Sequence, residues 1–283
     1  MAENQGLLAS ILVLFAPSAV FIFCLKNVFS DSDFRKAGIA GVVFGMFAAI
    51  LVKFIVFPLI TVLFKIDIFG SLYEQNAYLK AIVCFLFVGP VEEGLKLIAT
   101  FSAISLYSLE KRISSFFIAS LACGIGFSLM ENIDYLNFFG VKILFLRSIV
   151  STTGHLIFSG ISGIGISFSI YFGNVLGLGF LKSIGMLFSC FFLSAFFHGI
   201  FNFSLSSFDL FISTILSFYI NTCLIFYLKM AWKKIQLLDL PLFPRFWFCS
   251  GCGLAGIGKE LYCITCGDSL KYSIEVNPQK NHL

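Results

Sequence analysis

Charge is what this sequence has least of. Lysine and arginine together number 19, aspartate and glutamate 15, and charged residues make up 12% of 283. Soluble globular domains carry about 25%, so the shortage excludes an ordinary soluble fold. The net charge of +4 is small and no basic–aromatic pattern accompanies it, so nucleic acid is not an expected partner. The N-terminal MAENQGLLAS lacks the positive region of a signal peptide. There is no HExxH motif, and no internal repeat of the kind many transporters show. What fills the chain instead is apolar: 59% hydrophobic, with a mean hydropathy of +0.97.

Crossing a hydrocarbon core takes about 20 predominantly apolar residues. That rule places seven spans, at 7–25, 37–64, 77–108, 114–137, 143–171, 183–204 and 209–231, the first being a retained membrane helix. The expected fold is an all-α polytopic membrane protein, with a membrane core over 1–240, a small module over 246–272 and a tail over 273–283. Lys26, Arg35, Lys36, Lys111, Arg112, Lys182, Lys229, Lys233, Lys234 and Arg245 fall on one side of such a bundle. The opposite loops offer little beyond Lys65 and Lys142. The positive-inside rule then sets the N-terminus outside and the C-terminus in the cytoplasm.

Beyond the last span the character changes to FCSGCGLAGIGKELYCITCGD. Cys249 and Cys252 form one CxxC, Cys263 and Cys266 a second, and Gly253 and Gly267 follow the pairs. Four thiolates on two tight turns suit a closed, tetrahedral structural zinc site, a zinc ribbon. A cytoplasmic location disfavours the disulfide alternative. Such an appendage offers a docking surface for a cytoplasmic partner. It is a poor source of catalytic zinc, because four cysteines close the coordination sphere.

Ionisable side chains at mid-bilayer cost about 2.5–3.5 kcal/mol each on insertion scales, so they mark pairing or function. The stretch FVGPVEEGLKLIATF holds three of them: Glu92, Glu93 and Lys96. Glu92 and Lys96 have the favourable i,i+4 order for an ion pair, and Lys96 can also reach Glu93. Pro90 cannot donate an N–H, so the span is expected to kink or break there, leaving the glutamates in the first turn of a new helix. A structural Glu–Lys pair accounts for one glutamate but not easily for both.

Other spans add partners. GIGFSLMENIDYL supplies Phe127, Glu131 and Asn132, with Gly124 and Gly126 opening the helix to a close neighbour. Arg147, Ser151, His155 and Ser159 recur every four residues and form one polar stripe. His198 and Asn202 share a helix face in SAFFHGIFNFS. Lys53 has no partner evident in sequence. Counting residues along the spans sets Glu92, Glu93, Glu131, His155 and His198 around one cavity in the outer half of the membrane.

The ordered set EExxK (Glu92, Glu93, Lys96), FxxxEN (Phe127, Glu131, Asn132), mid-span His155 and HGxxN (His198, Gly199, Asn202) resembles the PrsW family of bacterial intramembrane proteases. It is similar more remotely to the CAAX-processing and bacteriocin-processing (Abi) membrane proteases. The resemblance covers roughly 80–205 and implies peptide-bond hydrolysis in a membrane-anchored protein at the bacterial plasma membrane. Site-1 cleavage of an anti-sigma factor in a stress response is the associated role. It further implies that Glu92 is the general base and that Glu93 assists, with Lys96 fixing both carboxylates. His198 and Asn202 would polarise the scissile carbonyl, Glu131 and His155 would complete the site, and Asn132, Phe127 and Arg147 would support it. The remoter relatives have histidine where this chain has Glu131, which leaves open whether a catalytic metal is also held.

Two readings from other classes stand beside the protease. Buried Glu, Lys and His also build proton relays, as in an ion- or proton-coupled transporter or channel. A membrane scaffold recruiting partners through the zinc ribbon is the third.

Overall fold

In the computed structural model the described residues are 31–65, 67–68, 70, 76–106, 112–139, 141–175, 180–207, 210–238, 246–248, 252, 255–257 and 271–274. The chain divides into two compact units, Met1–Leu237 and Leu238–Leu283.

The larger unit is a helical bundle. Helix α1 begins at Ser32–Leu51 and continues through a π-helical run, Val52–Val56, into Phe57–Phe64. Helix α2 joins Ala77–Ile82, a second π-helical run Val83–Val88 and Gly89–Leu106 without interruption. Then follow α3 (Ile113–Phe139), α4 (Val141–Ile170, extended by the π-helical run Tyr171–Val175), α5 (Phe180–Ser207) and α6 (Leu210–Leu238). Among the described residues, five stretches are long and apolar enough to cross a membrane: Ser32–Phe64, Ile113–Asn137, Val150–Gly173, Phe180–Ser207 and Ile212–Gln236. Helix α2 is of comparable length, and its ionisable cluster sets it apart. The helix expected at 7–25 lies outside the described residues.

Local chemistry sets the helix starts. The Asp31 carboxylate accepts from Asp33 N at 2.9 Å and caps α1. Asn76 caps α2 by accepting from Tyr78 N and Leu79 N at 3.0 and 3.3 Å. The expected break at Pro90 does not occur. Pro90 is the second residue after the π-helical run of α2, and Pro58 occupies the same place after the run in α1. The wider π turns lift the carbonyl ladder away from the proline ring, so the helix passes through it. Glu92 therefore lies in the first α-helical turn after the π-helical run of an uninterrupted helix, not at a free helix N-terminus.

Helix α3 is the buried centre, while α1, α5 and α6 expose large apolar side chains such as Phe47, Phe192 and Phe218. Lipid tails are as apolar as these side chains, so packing rather than dehydration must hold the helices together. The two glycines of GIG do this on opposite sides of α3. A Cβ on Gly126 would stand 2.0 Å from Val42 O of α1, and one on Gly124 would stand 2.4 Å from His155 O of α4. Lys53, without a partner in the sequence reading, pairs with Asp134 of α3 at 2.5 Å.

In the smaller unit, β1 (Phe246–Phe248), β2 (Ala255–Ile257) and β3 (Lys271–Ile274) form a sheet in the order β2-β1-β3. Both pairings of β1 are antiparallel. Cys252 lies exposed in a turn between β1 and β2. The other members of the expected zinc site, Cys249, Cys263 and Cys266, lie outside the described residues.

Candidate active site

Four helices bring their ionisable side chains to one buried cluster. Helix α2 contributes Glu92, Glu93 and Lys96, all buried, and α3 contributes Glu131 from a position 26% exposed. Helices α4 and α5 contribute His155 and His198, both buried.

Glu93 is saturated. Its Oε1 lies 2.7 Å from Lys96 Nζ and 2.8 Å from His198 Nδ1, and its Oε2 lies 3.0 Å from the Ser194 hydroxyl. Lys96 therefore pairs with Glu93 at i,i+3 rather than with Glu92 at i,i+4, which it approaches only to 4.0 Å. The ammonium also reaches His155 Nδ1 at 2.9 Å and sits 4.1 Å from the centroid of the Phe127 ring. That ring face supplies a cation–π contact to the buried ammonium.

Glu92 is the opposite case. Its Oε2 is buried and makes no hydrogen bond. The nearest imidazole nitrogen, His198 Nε2, is 3.6 Å away, too far for a hydrogen bond. A carboxylate can only accept, so the Glu93 contact requires the proton of His198 to be on Nδ1. His198 Nε2 is then a lone pair turned toward the lone pairs of Glu92. Phe158 stacks on the same imidazole at 5.1 Å and fixes its plane.

On the far side, Glu131 Oε2 lies 2.8 Å from His155 Nε2 and 2.9 Å from Arg147 Nη2. Arg147 Nε also donates to Asn132 Oδ1 at 3.2 Å. Asn132 Nδ2 in turn donates to Thr152 Oγ1 at 3.0 Å, and Ser128 Oγ donates to the same oxygen at 2.8 Å. Every residue of the sequence reading except Asn202 thus joins the cluster or its immediate support. Asn202 stands one turn beyond His198 on α5, half-buried, and no hydrogen bond ties it to the cluster among the described residues. Ser194, Phe158, Ser128 and Thr152 were not anticipated. Ser194 had a signal, for it precedes His198 by the same four-residue step that separates His198 from Asn202.

Residues 35–231 match the profile of a family described as PrsW family intramembrane metalloprotease. The chain belongs to the PrsW family. It is accordingly a multi-pass membrane protein and a peptidase, an intramembrane protease whose substrate is a membrane protein in a lipid environment. No curated protein and no solved structure matches it.

The family description names a metal, and the residues fit one. Glu92, His155 and His198 each offer a ligand atom, all within 4.8 Å of one another and all buried. The unpartnered Glu92 Oε2 facing an imidazole lone pair is a donor set that a cation would satisfy. Glu93 on the remote nitrogen of His198 repeats the carboxylate–histidine arrangement that orients metal-binding imidazoles.

Proposed function

We propose that this protein hydrolyses a peptide bond of a membrane-anchored protein at the Glu92–His155–His198 cluster, with Glu92 taking the proton of the attacking water. The observation that carries this reading is the unpartnered, buried Oε2 of Glu92. Of the two adjacent glutamates, Glu93 is engaged by Lys96, His198 and Ser194, and Glu92 is the one with a buried oxygen that has no hydrogen-bond partner.

Glu92, His155 and His198 would hold a divalent metal. Bound there, the ion would supply Lewis acidity toward the scissile carbonyl and make water a better nucleophile at neutral pH. The chain's own residues do the rest. Glu93 keeps the His198 ring in place and its Nε2 lone pair turned to the site. Lys96 balances the carboxylate charge, and Phe127 and Phe158 exclude solvent, which strengthens each electrostatic contact. A carboxylate has two oxygens, so Glu92 can give one to the ion and keep the other as proton acceptor.

The anti-sigma-factor substrate rests on the family resemblance, as does a bacterial plasma membrane. The N-out, C-in orientation rests on the loop charges. The four-cysteine module is proposed to hold a structural zinc ion and to serve a cytoplasmic partner.

The test is reconstitution of the purified protein with candidate single-span substrates, comparing wild type with Glu92→Gln and His198→Ala, with and without chelator. Cleavage by wild type alone, stopped by chelator, is expected. Normal cleavage by either variant would refute the assignment, and flux of an ion without cleavage would favour the transporter reading.

A further inference from the structure

We infer that Glu131 and Arg147 are positioning residues that fix the tautomer of His155, so that the two site histidines are held in opposite tautomers. This deepens the proposed site by stating how its third ligand is aimed.

The argument starts from which groups can only accept and which can only donate. Glu131 Oε2, 2.8 Å from His155 Nε2, is an acceptor while ionised, so the imidazole proton belongs on Nε2. Lys96 Nζ, 2.9 Å from His155 Nδ1, has only donors to offer, so Nδ1 carries the lone pair. Two independent neighbours, on α2 and α3, thus specify the same tautomer. At His198 the pattern is reversed: Glu93 Oε1 accepts from Nδ1–H at 2.8 Å, leaving the lone pair on Nε2. Each histidine has a carboxylate on one nitrogen and a lone pair on the other: Nε2 of His198 faces Glu92, and Nδ1 of His155 faces Lys96.

Arg147 aims the carboxylate behind His155. It donates to Glu131 Oε2 at 2.9 Å and to Asn132 Oδ1 at 3.2 Å, and its guanidinium lies 3.5 Å from the centroid of the Tyr135 ring. A guanidinium held at two hydrogen bonds and a ring face has little freedom, and it passes that rigidity to Glu131. Glu131 stands behind His155 and orients it, and the lone pair facing the cluster is supplied by His155.

The sequence contains three histidines, His155, His198 and His282, so the tautomers can be read directly. The full-length, metal-free protein, labelled with 15N-histidine in nanodiscs, is compared by imidazole 15N NMR with Lys96→Met, in which Glu131 alone specifies the tautomer, and with Glu131→Ala, Glu131→Gln and Arg147→Lys on that Lys96→Met background. Wild type is expected to show His155 protonated on Nε2 and His198 on Nδ1. Lys96→Met alone keeps that pattern, because Glu131 still accepts from Nε2–H, whereas on the Lys96→Met background Glu131→Ala loses the protonated-Nε2 resonance of His155 and keeps the His198 pattern. Glu131→Gln, whose carbonyl still accepts, retains it, and Arg147→Lys broadens it toward a mixture. A wild-type His155 protonated on Nδ1 would overturn the inference. So would wild-type tautomer populations in the doubly substituted Lys96→Met, Glu131→Ala protein. Neither substrate nor metal enters this measurement, so its failure is separable from failure of the protease mechanism.

Discussion

Glu92 Oε2 and His198 Nε2 face each other across 3.6 Å with no hydrogen bond between them, inside a helix bundle where every other carboxylate oxygen of the adjacent Glu93 is occupied. Two neighbouring glutamates on one helix have been given different work by their surroundings, and substitution should separate them.

Glu92→Gln removes an acceptor that bonds to nothing. Its melting temperature in detergent should match wild type within error while cleavage falls by about 10²–10⁴, the usual worth of a general base. Glu93→Gln strips Lys96 and His198 of their carboxylate. Breaking a buried pair from one side costs about 3–5 kcal/mol, so this variant should lose stability and activity together. Equal melting temperatures for the two variants would contradict the division of roles.

Lys96→Met tests the ammonium that now occupies His155 Nδ1. Without metal the variant should melt below wild type, because Glu93 is left unpaired. Added divalent ion should then raise its melting temperature more than it raises that of wild type, since binding to the native state stabilises and a competing cation is gone. A smaller metal-induced gain than in wild type would argue that Lys96 helps to build the ion site.

Gly124→Ala and Gly126→Ala place a methyl group against backbone on opposite sides of α3, at 2.4 Å from His155 O and 2.0 Å from Val42 O. Overpacking of this kind costs about 1–3 kcal/mol, so both variants should melt early. Only Gly124→Ala displaces the helix that carries His155, so its residual folded fraction should be inactive. The folded fraction of Gly126→Ala should keep most of its turnover, measured per mole of folded protein.

These pairs also show what the sequence could and could not disclose. The helices emerge from apolar length alone, and the structure starts and ends the six described ones within a few residues of expectation, apart from longer overhangs at the start of α1 and the end of α6. The residue set of the cluster was legible because ionisable groups in apolar helices are costly and therefore few. Pairing was less legible. Spacing favoured Glu92–Lys96, but the choice between i+3 and i+4 was made by His155 and His198, which lie far away in sequence. Of the kink or break expected at Pro90, the break is absent because a π-helical run absorbs a proline without announcing itself in composition. Lys53 and Asp134 are 2.5 Å apart only because α1 packs on α3.

Asp31 gives a pH-dependent check outside the membrane. The Arg112 guanidinium, hydrogen-bonded to its carboxylate, holds Asp31 below the ordinary carboxylate range. A depressed folded-state value means stability that is present above the unfolded pKa, about 3.9, and lost as pH falls through the folded value. Asp31→Asn keeps the helix cap and removes the ion pair. Both partners are partly exposed, so the cost at neutral pH should stay at or below about 1 kcal/mol. The gap between wild type and variant should close on acidification below pH about 4 and in high salt. A gap that widens in acid would contradict the assignment.

The most direct test of the central claim is a count of tightly bound divalent metal in the full-length protein with Cys249, Cys252, Cys263 and Cys266 all replaced by serine. If Glu92, His155 and His198 form a metal-binding hydrolytic centre, about one equivalent remains, and His198→Ala on that background removes it. A protein with these four cysteines replaced that cleaves its substrate at the wild-type rate while binding no metal would contradict the account.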